Sequence, residues 1–537
     1  HNTAFANYNA FVRATYEAPR AGFFDLQAGY QNRTFGSNGF YAAYNPDQWE
    51  ATSTALASLR WLKQAGRFSF GASASYRKNF DRYDWTRGTA MNRHNTDNVG
   101  ARLWADYDWR AGTTSLGGDY AFNHIYSTNL GEALSRPHGR YTHAKARSTG
   151  NLWLRHAKQW RRFDLAASAG ISLTPYGTSA LWSLSGGYTP AAGLHLGIGA
   201  FQSMRLPTFT DLYYTSPAQI NNLDLTPESA VTYLFDTGYM KNSWRLSLQT
   251  YYRAGRDIID WVWREDMGDK WHSEQTSRLD TYGIELSGGY TVADGFLRRV
   301  TLSYGYITTD RNSDIIAKGA MDYMRHKAAL AVEVHFLRRM SLALTASVYD
   351  RNGSYTHYPV PGDPSLSEVR DYEPYFLLDG RLQWEKGICR LYVDATNITD
   401  SRYCDLGGIP LPGAWVTAGA DHRPLIRSLP AAFRPVASRG GLFFAGWPPA
   451  VRSVSSGFSP DGQRFREGIP VYFLWLWAFL RRGCRSPRVT GNIRCLIPLP
   501  ACAAGFFLRL RPPAVHSVSS GLSLLPAGWT AGETGAG

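Results

Sequence analysis

Four side chains crowd into one short polar stretch of this chain: Arg205, Asp211, Tyr213 and Tyr214. An arginine fork suits an anionic ligand, and tyrosine offers broad contact with a polar tip. The stretch reads as a ligand-contacting loop with those four as candidate contacts. Plainer roles compete: Arg205 in an ion pair within the protein wall, the tyrosines in a membrane-interface girdle. Pro207 and Pro227 bracket the stretch and shape its turns. No histidine lies between Phe201 and Glu228, which argues against haem, whose iron takes an axial imidazole or similar ligand.

A second group is acidic: Asp257, Asp260, Glu265, Asp266 and Asp269, read as one loop. Calcium takes several carboxylate and carbonyl oxygens, so Asp257, Asp260, Asp266 and Asp269 are the candidate calcium ligands. Their spacing departs from the EF-hand loop, and solvated charge is the plainer role. No other cofactor is expected. Catalytic sets are absent, with neither a G-x-S-x-G elbow nor an H-E-x-x-H pair. Scattered Asp, His and Ser on strands suit a barrel enzyme, but such barrels are much smaller, so no enzymatic activity is expected. Of five cysteines, Cys389 alternates with Leu391 and Val393 as a small apolar residue, and Cys404 follows a loop. The intervening strand argues against a disulfide between them, and no Cys or His spacing fits zinc.

Strands must carry these groups. Segments such as Trp244–Gln249, Phe163–Leu173 and Met340–Thr345 alternate apolar with small or polar side chains, giving each segment one greasy and one wet face. Connections alternate too. Short turns fall near Ala18–Gly22, Gln64–Arg67, Arg110–Thr113, Met240–Trp244, Leu337–Met340 and Glu385–Ile388. Long loops cover Asn32–Asp47, Asp81–Thr96, Arg205–Glu228 and Arg351–Glu373. A closed antiparallel barrel in an outer membrane has this arrangement. The expected fold is therefore all-β, a transmembrane antiparallel barrel over residues 1–420. About 19 strand segments precede residue 421. Single-chain barrels take even strand numbers, so the chain is expected to be a fragment lacking strands at its front.

Composition agrees. Mean hydropathy is −0.32, and no run reaches the ~18 apolar residues of a membrane helix. Aromatics make up 14% of the chain, with 32 Tyr and 18 Trp, as interface girdles require. The net charge of +14 is uneven: residues 421–537 hold 14 Arg, no Lys and four acids, leaving about +4 for the ladder. With no basic stripe there, nucleic-acid binding is excluded. Residues 421–537 also hold 13 of the 27 prolines and a near-repeat, Pro448–Gly457 and Pro512–Gly521. Proline at that density blocks ladders and helix interiors. This segment is expected to be an irregular, disordered or out-of-frame tail outside the barrel. No signal peptide is readable before His1.

The stretch Phe201–Tyr214 with Asn222–Glu228 resembles the "F-R-x-P-x-x-x-x-L-Y … N-x-x-L-x-P-E" region of TonB-dependent outer-membrane receptors. Tyr252-Arg253 … Asp257-Ile258-Ile259, then Tyr282-Gly283-Ile284-Glu285, then Asn397-Ile398-Thr399-Asp400 … Tyr403 … Pro412-Gly413 follow in the family's order. The resemblance is closest to cobalamin and ferric-siderophore receptors. It implies TonB-dependent uptake of a large scarce nutrient, a barrel of about 22 strands, and a plug domain that is not found here. It implies outer-membrane lipid, the TonB energy-coupling complex, the barrel assembly machinery and a small-molecule nutrient as partners. A passive porin-like channel or a non-functional receptor fragment are the alternatives. Ala414 stands where the family has Arg, and no aromatic ending follows Ala420.

Overall fold

The computed structural model describes residues 2–422, apart from 43, 90, 264, 265, 267, 269, 293, 311–315, 318–322, 361–363 and 406. The wall begins with β1 (Phe5–Ala18), β2 (Gly22–Gly36), β3 (Trp49–Ala65), β4 (Phe68–Asp84), β5 (Asn92–Trp109) and β6 (Gly112–Ser127). After a short β7 (Glu132–His138) come β8 (Tyr141–Trp160), β9 (Phe163–Thr174), β10 (Gly177–Ala191) and β11 (Leu194–Arg205). A one-turn helix α1 (Phe209–Tyr213) and β12 (Gln219–Ile220) lie in the next loop. The wall resumes with β13 (Glu228–Lys241), β14 (Trp244–Trp263), β15 (Trp271–Thr291) and β16 (Leu297–Asp310). Then come β17 (Ile316–Ala317), β18 (Met324–Phe336), β19 (Met340–Arg351), the separate hairpin β20 (Ser354–His357) and β21 (Glu368–Asp371), and finally β22 (Tyr375–Lys386), β23 (Cys389–Thr396) and β24 (Trp415–His422).

All but β20 and β21 form one 22-stranded sheet. Setting aside the short loop strands β7, β12 and β17, nineteen long strands follow one another, each antiparallel to the next. Among the described residues β1 and β24 are not paired with each other. Every short turn expected from sequence is present. Glycine and asparagine make several of them: Gly66 and Asn242 adopt φ of 61° and 52°, the left-handed region that side chains avoid.

The faces follow the two-residue period. Leu246, Tyr282 and Leu286 point outward and are exposed, with half-buried Tyr252 on the same face; their neighbours Gln249, Tyr251, Arg253 and Glu285 point inward. Outward rings gather near the short turns, with Phe163 stacked on Tyr188 (centroids 4.7 Å apart) and Trp244 against Tyr290 (4.6 Å). Farther up, Tyr252 stacks between Tyr233 and Tyr282, as an interface girdle does. Inward glycines admit large rings. A Cβ on Gly71 would lie 2.0 Å from the Trp104 ring, and one on Gly117 2.3 Å from Trp153.

Strands run farther than the alternation suggested. Asp81–Asp84 and Asn92–Thr96 lie on β4 and β5, not in a loop, and pair in register through Asp81↔His94 and Tyr83↔Asn92. The outward face of this hairpin changes at Tyr76. Below it stand Ala72, Ala74 and Leu103; above it stand Lys78, Asp97, Arg82 and Arg93. Lipid does not accept such charges, so this hairpin tip stands clear of the membrane. Both its faces are polar, and that is why alternation could not reveal it. β2 likewise extends to Gly36. At the other end, Asp421 and His422 pair with Arg390 and Cys389, so β24 passes the expected boundary at 420 by two residues. The rest of the expected tail lies outside the described residues. Cys389 and Cys404 are both free.

Candidate functional site

Most buried apolar side chains sit at the long-loop end, beneath the segment joining β11 to β13. Pro207 starts it, fully buried, and its carbonyl accepts a 2.7 Å bond from Arg147 Nη1. The Arg147 guanidinium lies 4.8 Å over the Phe209 ring. Thr208 then caps α1. Its hydroxyl accepts from Asp211 N at 3.0 Å, while Asp211 Oδ2 accepts from Thr208 N at 2.9 Å. This reciprocal box stabilises a helix far too short to persist alone. Phe209 and Tyr214 pack with Ile125 and Leu130; Leu212 packs with Leu225 and Ile259; Tyr213 touches both groups.

Arg205 is the tie between strands. Its Nε donates to Glu228 Oε2 at 2.8 Å and its Nη2 to Oε1 at 2.5 Å. Asp211 Oδ2 lies 3.7 Å from Nη1. Glu228 Oε1 also accepts from Ile259 N at 2.7 Å. One half-exposed guanidinium thus joins β11, β13, β14 and α1. Among the sequence-predicted contacts, then, Arg205 closes the wall ion pair that sequence set against ligand contact. Asp211 is spent on the helix cap. Tyr214 is buried, and burial raises its phenol above the usual range. Tyr213 is half-buried, with the Lys145 ammonium 5.8 Å over its ring.

The acidic set does not share one loop. Asp257 and Asp260 belong to β14. Asp257 adopts φ of 55°, the left-handed region, between the pairs Arg256↔Arg278 and Ile258↔Thr276, with the register unchanged across it. Asp260 accepts from Trp261 N at 2.8 Å and lies within electrostatic reach of Arg205. Asp266 is exposed in the following turn, and Glu265 and Asp269 lie outside the described residues. Among the described residues no group of three or more His, Cys, Asp or Glu is placed to hold a metal.

The structure adds groups that sequence reasoning passed over. Arg33, Arg77 and Arg253 point inward, and none has an acidic ion-pair partner among the described residues. Tyr251 stands beside Arg253 on the same inner face, its ring against Gly283. Alternation could have placed Arg253 by its outward neighbour Tyr252. Arg77 gave no such signal, because Tyr76 and Lys78 flank it on the outward face. Toward the short-turn end the same face opens on a cavity of about 1070 Å³, lined by Arg60, Arg102, Trp104, Asp106, Trp153 and Arg155.

An antiparallel wall, apolar outside and polar within, roofed at one end by a packed loop, defines a membrane-spanning barrel that handles solutes. The chain belongs to the TonB-dependent receptors, a family of outer-membrane proteins: the family described as "TonB dependent receptor-like, beta-barrel" matches residues 1–398. Members of this family work with TonB and bind small-molecule ligands. Solved structures share the fold at low identity. The siderophore receptor PirA from Pseudomonas aeruginosa is 11% identical with a TM-score of 0.57, over 78% of this chain and 70% of that one. The copper transporter OprC is 14% identical with a TM-score of 0.61, over 78% and 72%. A ferric enterobactin receptor (PfeA) mutant from Pseudomonas aeruginosa, in complex with enterobactin, is 14% identical with a TM-score of 0.60, over 78% and 70%. A search of curated proteins finds no match. Among the described residues no domain fills the space inside the wall.

Proposed function

We propose that this chain forms the wall of a Gram-negative outer-membrane receptor that takes up a large anionic metal chelate, of ferric-siderophore type, by TonB-dependent transport. The carrying observation is the inward trio Arg33, Arg77 and Arg253 on the face that meets solute, which close no ion pair among the described residues; Arg253 feels Glu228 only at longer range. Arg77 and Arg253 are half-buried and Arg33 is exposed; a half-buried cation without an ion pair costs free energy, and an anionic guest would offset that cost. Each guanidinium presents a fork matched to carboxylate or catecholate oxygens. The same charge disfavours cobalamin, which offers no comparable anionic rim, and leaves it as the alternative ligand. Two structural neighbours, the siderophore receptor PirA and the ferric enterobactin receptor PfeA, support the same choice.

Growth of a receptor-deficient strain carrying the intact gene, on single iron chelates and on cobalamin, tests this reading. Rescue by a ferric chelate is expected. Rescue by cobalamin alone would replace the ligand. A solute flux that persists without TonB would favour a passive porin. Arg77→Ala with Arg253→Ala should weaken chelate binding about tenfold or more, measured by tryptophan quenching on the refolded chain.

A further inference from the structure

Glu50 and Asp81 are 5% and 3% exposed at the long-loop end of β3 and β4, and neither pairs with a Lys or Arg side chain among the described residues. Two carboxylates buried together cannot both stay ionised cheaply. Tyr41, from the 37–48 loop, donates its hydroxyl to Glu50 Oε2 at 2.5 Å. Its ring meets Tyr83 edge-on, with centroids 4.8 Å apart. Asp81 Oδ1 and the Tyr83 hydroxyl are buried without a hydrogen-bond partner, as is Gln48 Nε2 from the same loop. The loop reaches on from this anchor. Asn45 Nδ2 donates to the Trp85 carbonyl at 2.9 Å, and the Tyr44 ring meets Tyr358, from the loop after β19, at 5.5 Å.

A positive charge must settle on this pair, and donor count decides which kind. Calcium takes six to eight oxygens, and here the two carboxylates meet neutral phenols and, at Asp81, the Arg82 backbone amide. A proton needs one oxygen. The other groups facing the pair do not supply the charge. Arg33 lies two strands from Asp81 and one strand from Glu50, across from Thr52, and closes no ion pair with either among the described residues. His94 is buried with Nδ1 2.8 Å from Ser127 Oγ, and burial holds its pKa down at about 4. Tyr44 and Tyr214 face Tyr83, and burial with the nearby Glu50 drives Tyr41 far above the usual phenol range.

We infer that Glu50 and Asp81 share a proton that fastens the 37–48 loop to the outer mouth of the wall, and that losing it releases the loop. The direction follows from the fold. Burial, with Glu50 adding to it, pushes Asp81 up to about 7, and burial raises Glu50. Groups raised in this way stabilise the fastened form at low pH, and that contribution is lost as pH rises through about 7. His94 is neutral on both sides of this window.

Hydrogen exchange of the refolded full chain, corrected for intrinsic rates and read on peptides within 37–48, provides the test. Protection should fall roughly tenfold or more between pH 6.0 and 8.5, while peptides from β13–β15 stay unchanged. Asp81→Asn and Glu50→Gln should each flatten that profile, and His94→Gln should leave its midpoint in place. Flat protection in the unaltered chain overturns the inference, whether or not the variants fold. So does a parallel loss across β13–β15, which would make the event global. Recovery of protection at pH 8.5 on adding calcium chloride overturns it as well, because the pair would then hold a metal.

Discussion

The two ends of this wall are built differently. At the long-loop end, Ile125, Leu130 and Leu225 are fully buried beneath α1, and side chains from β6, β14, α1 and the adjoining loops interlock. At the short-turn end the inner face meets open space, and ladder bonds and ion pairs along the wall hold it. Arg13 forks onto Asp25 with two 2.9 Å bonds, Arg381 pairs with Asp394, and Arg102 pairs with Asp119, which also accepts from Trp153 Nε1. One end carries its own apolar core. The other is a polar lining whose shape depends on backbone pairing and on those ion pairs. A membrane barrel permits this division, because lipid supports the outside and neighbouring strands pair each other's backbone groups.

Substitutions can break or sharpen that contrast. The largest effect is expected in the packed end. Ile125→Ala removes a fully buried side chain against Leu130, Phe209 and Tyr214, and should cost about 2–5 kcal/mol in denaturant unfolding. Limited proteolysis should then cut first between residues 206 and 227. Equal stability in the variant would show that this end has no core in the energetic sense.

Arg205→Ala comes next. It strands Glu228, 5% exposed, without its cation. A fully buried pair broken this way costs several kcal/mol, but the half-exposed arginine reduces that to about 2 kcal/mol. Arg205→Lys should recover only part of it, since an ammonium cannot reproduce the two-pronged contact. Full recovery by lysine would reduce the tie to simple charge.

Thr208→Ala removes the cap of α1 and should cost about 1 kcal/mol, seen as faster exchange of the Asp211 and Leu212 amides with no change across β13–β15. The smallest effect belongs to the open end. Arg102→Ala removes a pair that faces water, and should shift unfolding by about 0–1 kcal/mol. A loss as large as that of Ile125→Ala would erase the contrast between the ends.

Sequence alone determined a good deal of this protein. Period-two alternation, tight turns at glycine and asparagine, and the count of about 19 segments all reappear in the wall. The reason is physical: lipid on one face and water on the other force every spanning residue to declare its side, so side-chain order within the membrane is side-chain order in space. Arg205 as a wall ion pair was legible for a related reason, since Glu228 begins the strand that pairs with its own. Above the membrane that discipline ends. Both faces of β4 and β5 turn polar, so the sequence did not reveal that Asp81 and His94 lie on paired strands. Only the tertiary structure decided that Asp211 caps a helix, that Tyr214 is buried, that Asp257 lies on a strand, and that Tyr41 reaches Glu50. Those outcomes depend on which loops fold back over which strand ends. Long-range contact of that kind is settled by burial and hydrogen-bond satisfaction in three dimensions, and neighbouring residues in the chain carry no record of it.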